Sequence, residues 1–408
     1  MTNIKYQVLA LAAMLMLCAC QQQVTRTVTL VVSNPTDHDI SGVVDGIRLQ
    51  PVLDSLGVEA GTPIRLTDVL GKPVVTQIFD DGMEKLLLFE SSTLANGEST
   101  YYVSVGFDSL AQAAQSAVMM KHYPQRKDDF MWENESGIWR AYGPELQASG
   151  ERAFGYDIWV KNTKELVSDK RMLDALRNWA IADSLRALGE PWLLSRADSI
   201  GESTSFHRDH GNGMDCYAVG PTLGGGTAAL VNDGQLVLPW AWKSHRILAN
   251  GPLLAAVELD YDTLYVGTDT VMEHRTIVTQ KGTRFNIIRV RYEGLSAPHE
   301  IAVGLAYHAD DDSIRLNTPL KYMAYSDPTD QPALDPGRVE IGVYVPTLKR
   351  TALELGHLLC YADYQPGETF TYYMGSGWSK GDCPSLEAME RELKLLGETE
   401  RTTRIVVR

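Results

Sequence analysis

The residues best suited to proton transfer lie in the stretch SFHRDHGNGMDCYAVGPTLGGG, from Ser205 to Gly226. His207 and His210 stand on either side of an aspartate, and more acidic and phenolic groups follow. A neutral imidazole takes or gives a proton near pH 7, which suits general acid–base catalysis. The glycines favour a loop over a helix. We predict a catalytic or substrate-binding loop whose polar members are His207, Asp209, His210, Asp215 and Tyr217.

Two other interpretations of this stretch remain open. A metal site would use His207, His210 and Asp215 with a water molecule. No His-x-x-x-His or paired-cysteine spacing supports it, so we expect neither a metal nor another cofactor. The second alternative is a polar turn that only connects two elements.

A second polar cluster is RKDDFMWENESGIWRAYGPE, which mixes acids, aromatic rings and an arginine. Rings can stack on a sugar face, carboxylates accept hydrogen bonds from hydroxyl groups, and arginine can pair with a carboxylate. The alternative is a strand pair with its tryptophans in the core and its charges in water. The sugar-site interpretation singles out six polar residues and the two rings among them: Asp128, Asp129, Glu133, Asn134, Arg140 and Tyr142, with Trp132 and Trp139.

Two further segments carry weaker signals. In WAWKSHRILANGP, Arg246 is a candidate anion contact, or a solvated strand edge. In YYMGSGWSKGDC, Trp378 is a candidate sugar platform beside Lys380, or the buried ring of a hairpin. His308 lies in AYHADDDS beside an acidic run, which indicates a solvated turn or, as a weaker signal, a calcium site. The remaining histidines that we interpret as structural or exposed are His122, His245, His274, His299 and His357.

Strand-like patterns must position most of these residues. Residues 24–107 predict a small β region, and the chain from 108 to 408 predicts a large sandwich domain that carries the sugar site. Short runs with period-two alternation recur from Gln235 onward, which is typical of a large antiparallel sandwich. DKRMLDALRNWAIADSLRALG and SLEAMERELKLLG predict helices, the second with Ser385 as N-cap. GPTLGGG lacks the register of a nucleotide loop.

Charge and targeting signals narrow the function classes. A net charge of −15 argues against nucleic acid as a partner, although local arginines can still hold an anionic substrate. Residues 1–19 predict a signal peptide that closes in a lipobox-like pattern, so Cys20 is the expected lipidation site and 20–23 the tether. We therefore expect an exported protein, held at the outer membrane by lipid alone. Of the three later cysteines, Cys360 and Cys383 are the expected disulfide pair, with Cys216 free.

The segments RKDDFMWENE, FHRDHGNGMDCYAVGPTLGGG, HRILANGPL and YYMGSGWSKGD occur in this order. Together they resemble the domain-of-unknown-function 4861 family, and the resemblance runs from about Val24 to Lys394. The resemblance implies a mostly β, galactose-mutarotase-like antiparallel supersandwich in an exported lipoprotein that acts in polysaccharide breakdown. It also implies an oligosaccharide dehydratase that acts on a terminal uronic acid.

Such a reaction is a β-elimination, in which a base takes the proton at C5 and the C4 hydroxyl leaves as water. On the motif positions, Arg140 would neutralise the substrate carboxylate, with Arg246 or Lys380 as helpers. The base would be His207 or His210. The acid would be the other histidine, Tyr217 or Tyr142, and the rings of Trp132 and Trp378 would hold the sugars.

Three alternatives use the same groups differently. A mutarotase or epimerase would move a proton at C1 or C5 without forming a double bond. A polysaccharide lyase would expel a sugar in place of water, and a glycan-binding lipoprotein would use only the aromatic residues.

Overall fold

The computed structural model describes residues 26–107, 114–309, 311–402 and 404–407. The predicted signal peptide, the predicted tether and the predicted lipidation site, Cys20, lie outside the described residues. Within the described part of the chain, no helix is both long and apolar enough to cross a bilayer.

The N-terminal region forms two small sheets around its own apolar core. One sheet joins β7, β1 and β3, the other joins β6 to β2 and β5, and helix α1 (Leu49–Leu56) packs between them. The C-terminal strand Arg404–Val407 pairs with β1, so the sheet of this region includes the far end of the chain. Its strands are β1 Thr27–Asn34, β2 Ile40–Arg48, β3 Ile64–Asp68, β4 Pro73–Val74, β5 Thr76–Asp80, β6 Lys85–Thr93 and β7 Gly97–Val105.

A five-stranded antiparallel sheet follows, in the order β12-β11-β10-β9-β8. Three helices interrupt its strands: α2 Pro144–Ala148, α3 Ser168–Ala187 and α4 Pro191–Glu202. Its strands are β8 Met119–Tyr123, β9 Asp129–Glu133, β10 Gly137–Ala141, β11 Asp157–Val160 and β12 Met214–Asp215.

Two large antiparallel sheets complete the fold, one of five strands ordered β14-β13-β20-β25-β24 and one of nine strands. Their facing side chains build the largest apolar core, and helix α5 (Leu386–Thr402) packs on the outer side of the nine-stranded sheet. Short 3₁₀ turns span Pro124–Arg126, Asp311–Ser313 and Pro332–Leu334. The strands of these two sheets are β13 Gly225–Asn232, β14 Gln235–Val237, β15 Trp242–Asn250, β16 Leu254–Tyr261, β17 Leu264–Val266, β18 Asp269–Gln280, β19 Phe285–Glu293, β20 His299–Ala306, β21 Ile314–Asn317, β22 Tyr322–Asp327, β23 Val339–Tyr344, β24 Arg350–Glu354, β25 His357–Tyr364 and β26 Phe370–Trp378. The strand that pairs with β1 is β27 Arg404–Val407.

The predicted fold class is confirmed, because 46% of the chain is strand, 18% is helix and the sheets are antiparallel. The predicted disulfide is wrong. Cys360 lies in the sandwich core, whereas Cys383 lies in the separate core under α5, and both are free and buried. Cys216 is free and buried as well.

Candidate active site

The sheet β8–β12 is covered on both faces. Trp132 and Trp139 belong to the sandwich core on its inner face, while Met131 and Trp159 pack on its outer face against Phe206 and helix α3. Every residue of β9 and β10 is therefore buried. Polar side chains on the outer face are thus enclosed between the sheet and the helix layer, where charges interact strongly.

Arg140 lies at the centre of this enclosed outer face. Its Nη1 lies 3.2 Å from Asp129 Oδ2, and its Nη2 lies 2.7 Å from Asp157 Oδ2 and 3.9 Å from Asp215 Oδ2. Nη2 also donates to the hydroxyl of Tyr142 at 3.2 Å. The sheet register explains the arrangement, since Arg140 lies directly opposite Asp157. We call these five residues the Arg140 cluster; it holds three carboxyl groups for one guanidinium.

The pKa values of two carboxyl groups in the Arg140 cluster are raised. Burial raises the pKa of Asp215 well above its usual range, the charge of Asp157 raises it further, and Arg140 opposes both. Burial also raises the pKa of Asp129, against the pull of Arg140. A carboxyl group that keeps its proton near neutral pH becomes a hydrogen-bond donor. Asp215 is the stronger candidate for this form because Arg140 is farther from it.

His207 lies beside Asp215 with one ring nitrogen anchored. Its Nδ1 is 3.2 Å from the backbone carbonyl oxygen of Asp215, which can only accept a hydrogen bond. Nδ1 therefore carries the proton in the neutral ring, and Nε2 carries the lone pair. The side chain is 49% exposed, so the basic nitrogen belongs to a ring that a ligand can reach.

Arg171 of α3 fixes the loop that carries His207 and His210, which we call the histidine loop. Its guanidinium donates to three backbone carbonyls, those of Gly213 at 2.5 Å, Phe206 at 3.3 Å and Arg208 at 3.2 Å. Gly213 has φ +109°, and a Cβ there would lie 2.0 Å from the Val160 oxygen, so only glycine fits this crossing. The loop that carries His207 is thus fixed by buried hydrogen bonds.

Asp209 and His210 shape the same loop. Asp209 Oδ1 accepts from the backbone N–H groups of Gly211 and Gly213, each at 2.9 Å. His210 is exposed, and its Nε2 lies 2.9 Å from the Ser205 carbonyl oxygen. Asp209 and His210 thus have a structural role, because their side chains bind the backbone of their own loop.

A second histidine reaches the site from another part of the chain. His308 follows β20, and its Nδ1 lies 2.6 Å from Asp327 Oδ2 at the end of β22. Its ring centroid is 5.7 Å from that of Tyr217, which is buried. The hydrogen bond to Asp327 is the main cause of a raised pKa for His308, so the imidazolium form is favoured. We call His207 and His308 the imidazole pair.

Asp330 interacts electrostatically with both imidazoles. Its backbone N–H donates to the Cys216 carbonyl at 3.1 Å, next to Asp215. Burial raises the pKa of Asp330, while the charge of His207 lowers it. His308 senses the charge of Asp330 as well, so this carboxyl lies within electrostatic range of both rings.

The backbone on either side of this region is strained. Ala309 has φ 62° and Thr329 has φ 69°, values that residues with a Cβ seldom adopt. They directly follow His308 and directly precede Asp330. The Thr329 N–H donates to Asp327 Oδ1 at 2.8 Å, which holds that turn in place. Strain of this kind is characteristic of functional sites.

Both predicted tryptophan platforms are wrong. Trp132 is fully buried and lies 6.4 Å from Trp139 in a stacked arrangement. Trp378 is 1% exposed, and its Nε1 donates to the Pro336 carbonyl at 2.6 Å. Both rings belong to the sandwich core and expose almost no surface to a sugar.

Glu133 is an anchor for helix α3 and has no free oxygen for substrate. Its carboxylate accepts from Lys161 Nζ at 2.7 Å and from the Ser168 N–H and hydroxyl at 2.9 and 2.6 Å. It also accepts from the Val167 N–H at 2.8 Å. A carboxylate at a helix N-terminus satisfies amide groups that lack partners within the helix.

The remaining predicted contacts lie outside the Arg140 cluster. Asp128 Oδ1 is 3.1 Å from His122 Nε2. Arg246 is 70% exposed and pairs with Glu258 at 2.6 Å, so it is a solvated strand residue. Lys380 pairs with Asp335 beside a cavity of about 290 Å³, which Arg208, Asp209 and Trp378 also line.

The metal alternative for the histidine loop gains no geometric support. Among the described residues, ligand atoms of three or more His, Cys, Asp or Glu side chains converge at Asp37, His38 and Glu398. These three residues lie in or beside the N-terminal region and the end of α5, and the set does not include His207, His210 or Asp215.

The sequence profile of the Domain of unknown function (DUF4861) matches residues 32–399. The chain belongs to the DUF4861 family. A curated relative, "Uncharacterized protein P7" of Formosa agariphila, is 24% identical over 272 residues, which cover 64% of this chain and 62% of that protein. This DUF4861 chain thus aligns with less than two thirds of the length of that relative.

Among solved structures, the DUF4861 chain is similar to a protein in glycosyl hydrolase family 38 from Enterococcus faecalis. The TM-score is 0.52 at 9% identity, and the match covers 94% of this chain and 47% of the other. At this identity the likeness shows a shared fold. It supports the large antiparallel sandwich that the strand rhythm predicts.

Proposed function

We propose that this DUF4861 chain is an exported, lipid-anchored enzyme that removes water from the terminal uronic acid of oligosaccharides. The observation that carries the proposal is the anchoring of the imidazole pair: His207 Nδ1 is held by the backbone carbonyl of Asp215, whose carboxyl pKa is raised, and His308 Nδ1 is held by Asp327. A β-elimination next to a carboxylate needs a base, an acid and a group that stabilises the enolate-like charge. In this proposal His207 is the base, His308 is the acid and Asp215 stabilises the negative charge.

His207 is the base in this mechanism. Its Nδ1–H is held by the Asp215 carbonyl, so Nε2 presents its lone pair to the C5 proton of the substrate. The electrons of the C5–H bond form the C4=C5 double bond. Of the two histidines that the sequence offered as base, His207 is favoured over His210 because its anchor lies on the Arg140 cluster.

Asp215 binds the substrate carboxylate through its own proton. Both Nη atoms of Arg140 already contact Asp129, Asp157 and Tyr142, so the guanidinium supplies fixed positive charge more than a bidentate contact. A protonated carboxyl group in an enclosed site can donate to the growing negative charge, as an oxyanion-hole donor does. The role that the sequence assigns to Arg140 alone is therefore shared.

His308 is the acid. Its hydrogen bond to Asp327 raises its pKa and favours the imidazolium, which can protonate the C4 oxygen as the C–O bond breaks. Water leaves, His207 has gained one proton and His308 has lost one, and exchange with solvent restores both. Tyr142 and Tyr217 are poorer acids here because burial raises the pKa of both phenols well above the usual range.

Two independent likenesses support a sugar as substrate. The first is the fold shared with a protein assigned to a glycosyl hydrolase family. The second is the resemblance to family members that act in polysaccharide breakdown. A sugar epimerase is the second candidate function, because an imidazole pair can also remove a proton and return one.

The test uses the soluble mature protein from Gln21 onward and a panel of oligosaccharides with a uronic acid at the non-reducing end. Ultraviolet absorbance and product mass are followed together. Rising absorbance with loss of one water from an intact chain supports the dehydratase, whereas rising absorbance with chain cleavage assigns a lyase. An isomer of unchanged mass assigns an epimerase, and no product across the panel contradicts catalysis and favours a binding protein.

A further inference from the structure

Arg126 is a partly buried cation on the outer face of the sheet β8–β12. Its guanidinium carbon lies 5.6 Å from the ring centroid of Trp179 in α3. Trp179 packs against the apolar cluster that covers this face, and its ring centroid is 5.2 Å from that of Phe206, the residue before His207. Arg126 therefore lies between the sheet and the helix layer, on the face that carries the Arg140 cluster.

The charge of Arg126 reaches two members of the Arg140 cluster. Burial raises the pKa of Asp129, and the charges of Arg140 and Arg126 oppose that rise. Burial and the charge of Asp157 raise the pKa of Asp215, and the same two arginines oppose it. The effect of a charge falls off within about 10 Å in salt solution, so Arg126 lies near both carboxyl groups.

The guanidinium of Arg126 has no partner of opposite charge. Its Nε is buried without a hydrogen bond, and no carboxylate of the described residues lies within ion-pair distance of it. The other two arginines of this layer are committed, since Arg140 contacts three carboxyl groups and Arg171 donates to three backbone carbonyls. A cation that has lost part of its hydration without gaining an anion is costly. The arrangement therefore favours an anion that comes from outside the chain.

The backbone after Arg126 is held in an unusual conformation. Arg126 ends the turn Pro124–Arg126, and the next two residues, Lys127 and Asp128, have φ values of 55° and 65°. A Cβ at Gly143 would lie 2.1 Å from the Asp128 carbonyl oxygen, so a glycine must cross here. Two successive strained residues thus fix the turn that presents Arg126, and such strain is characteristic of ligand-binding segments.

We propose that Arg126 binds the carboxylate of the reacting uronate and thereby selects an acidic sugar over a neutral one. The inference rests on the proposed function and names a charge partner that Arg140, with both Nη atoms occupied, does not supply. The planar fork of arginine matches a carboxylate through two parallel hydrogen bonds. The ring of Trp179 restricts the guanidinium to one orientation, and Asp215 remains the donor to the growing negative charge.

The experiment measures the affinity for two trisaccharides by calorimetry. One ends in a uronic acid, and the other ends in the same sugar with its carboxyl group reduced to an alcohol. The parent protein is His207→Ala, in which the acid stays intact during the titration. We expect Arg126→Gln to weaken binding of the acid about 10–100-fold, the effect of losing a charged hydrogen bond, and to leave binding of the alcohol unchanged. Arg126→Lys keeps the charge without the fork and should give a smaller loss.

Arg177→Gln is the matched control, because Arg177 lies two residues before Trp179 on the same helix and its side chain is 66% exposed. Removing that charge should leave the affinity for both sugars at the parent level. An acid affinity of Arg126→Gln equal to that of the parent, or an equal loss for acid and alcohol, overturns the subsite and leaves the dehydratase standing. Acid-selective binding that depends on Arg126, in a wild type that forms no unsaturated product, supports the subsite and contradicts only the dehydratase.

Discussion

Two arginine clusters lie on opposite faces of one strand. Tyr156 points inward, and its hydroxyl accepts from Arg275 Nη1 at 3.3 Å. The next residue, Asp157, points outward and pairs with Arg140. Neighbouring residues of an extended chain face opposite sides, so a single step along the chain separates the two environments.

The inner cluster is closed and balanced. Arg275 and its partner Glu273 are fully buried between the large sheets. The guanidinium also donates to the Tyr261 hydroxyl at 3.2 Å and to the Ala228 carbonyl at 3.1 Å. The single positive charge of Arg275 is balanced by the single negative charge of Glu273, and neither side chain is exposed to water. Such a pair holds the core in register and offers nothing to a substrate.

The charged groups of the outer cluster are buried as well, but their charges are unbalanced. Arg140 faces three carboxyl groups, and the half-exposed His207 lies at its edge. Burial together with the charge of the neighbouring Asp157 raises the pKa of Asp215, and groups with shifted pKa values beside a reachable base are typical of catalytic sites. The comparison teaches that charge balance and access distinguish a structural arginine from one in a candidate active site.

Breaking the inner pair should give the largest change. Arg275→Met leaves Glu273 buried without its partner, which costs about 3–5 kcal/mol of unfolding free energy. Urea denaturation measures the loss, and turnover per folded molecule should not change. The double variant Glu273→Leu, Arg275→Met should recover much of the stability, because no lone charge remains. A single variant as stable as the wild type would contradict the structural role.

Loosening the histidine loop should lower turnover on the order of 10–100-fold, because small displacements of a catalytic group are costly. Arg171→Lys keeps the charge but cannot reach all three carbonyls that fix this loop. We expect kcat to fall while KM holds, measured by initial rates on a single oligosaccharide.

The matched control for the loop is Arg177→Lys. Arg177 lies on the same helix and forms an exposed ion pair with Asp174. It should leave both constants at the wild-type level. Equal losses in the two variants would mean that the helix as a whole, and not the contact of Arg171 with the loop, sets the rate.

Removing the titration of Asp215 should change the pH dependence more than the maximal rate. The folded pKa is raised above the usual value of 3.8, so the stabilising effect of the proton is complete below that value and is lost as pH rises through the folded pKa. Asp215→Asn keeps a hydrogen-bond donor without this loss. We expect a flatter stability profile between acidic and neutral pH, and a rate that no longer falls as Asp215 ionises.

Unfolding at several pH values and the pH profile of kcat/KM together test the Asp215 assignment. Asp209→Asn serves as the control, because Asp209 lies in the same loop but binds backbone N–H groups as an acceptor. A pH profile of Asp215→Asn identical to that of the wild type would remove Asp215 from the mechanism.

The sequence predicts part of the outer cluster because residue type and short spacing suffice there. Arg140 and Asp129 come from one hairpin, and Asp215 and His207 come from one loop. The same reasoning fails for Trp132 and its neighbours in β9. A strand covered on both faces has no solvent side, so polar and aromatic residues alternate without showing which face binds a ligand.

The missed residues belong to other parts of the chain. His308, Asp327 and Asp330 reach the site only because β20 and β22 end beside it. No local pattern links AYHADDD to YSDPTD, since tertiary pairing alone creates the His308–Asp327 contact. Asp157 carries no motif signal, and its role follows from its register opposite Arg140.

Replacing the imidazole pair tests the central claim most directly. The double variant His207→Ala, His308→Gln is compared with the wild type on an oligosaccharide that the wild type dehydrates, with product followed by mass and absorbance. General acid–base groups contribute about 10²–10⁴-fold each, so we predict that formation of the unsaturated product falls below detection while the unfolding curve stays the same. A folded double variant that still forms the product at the wild-type rate would contradict the account.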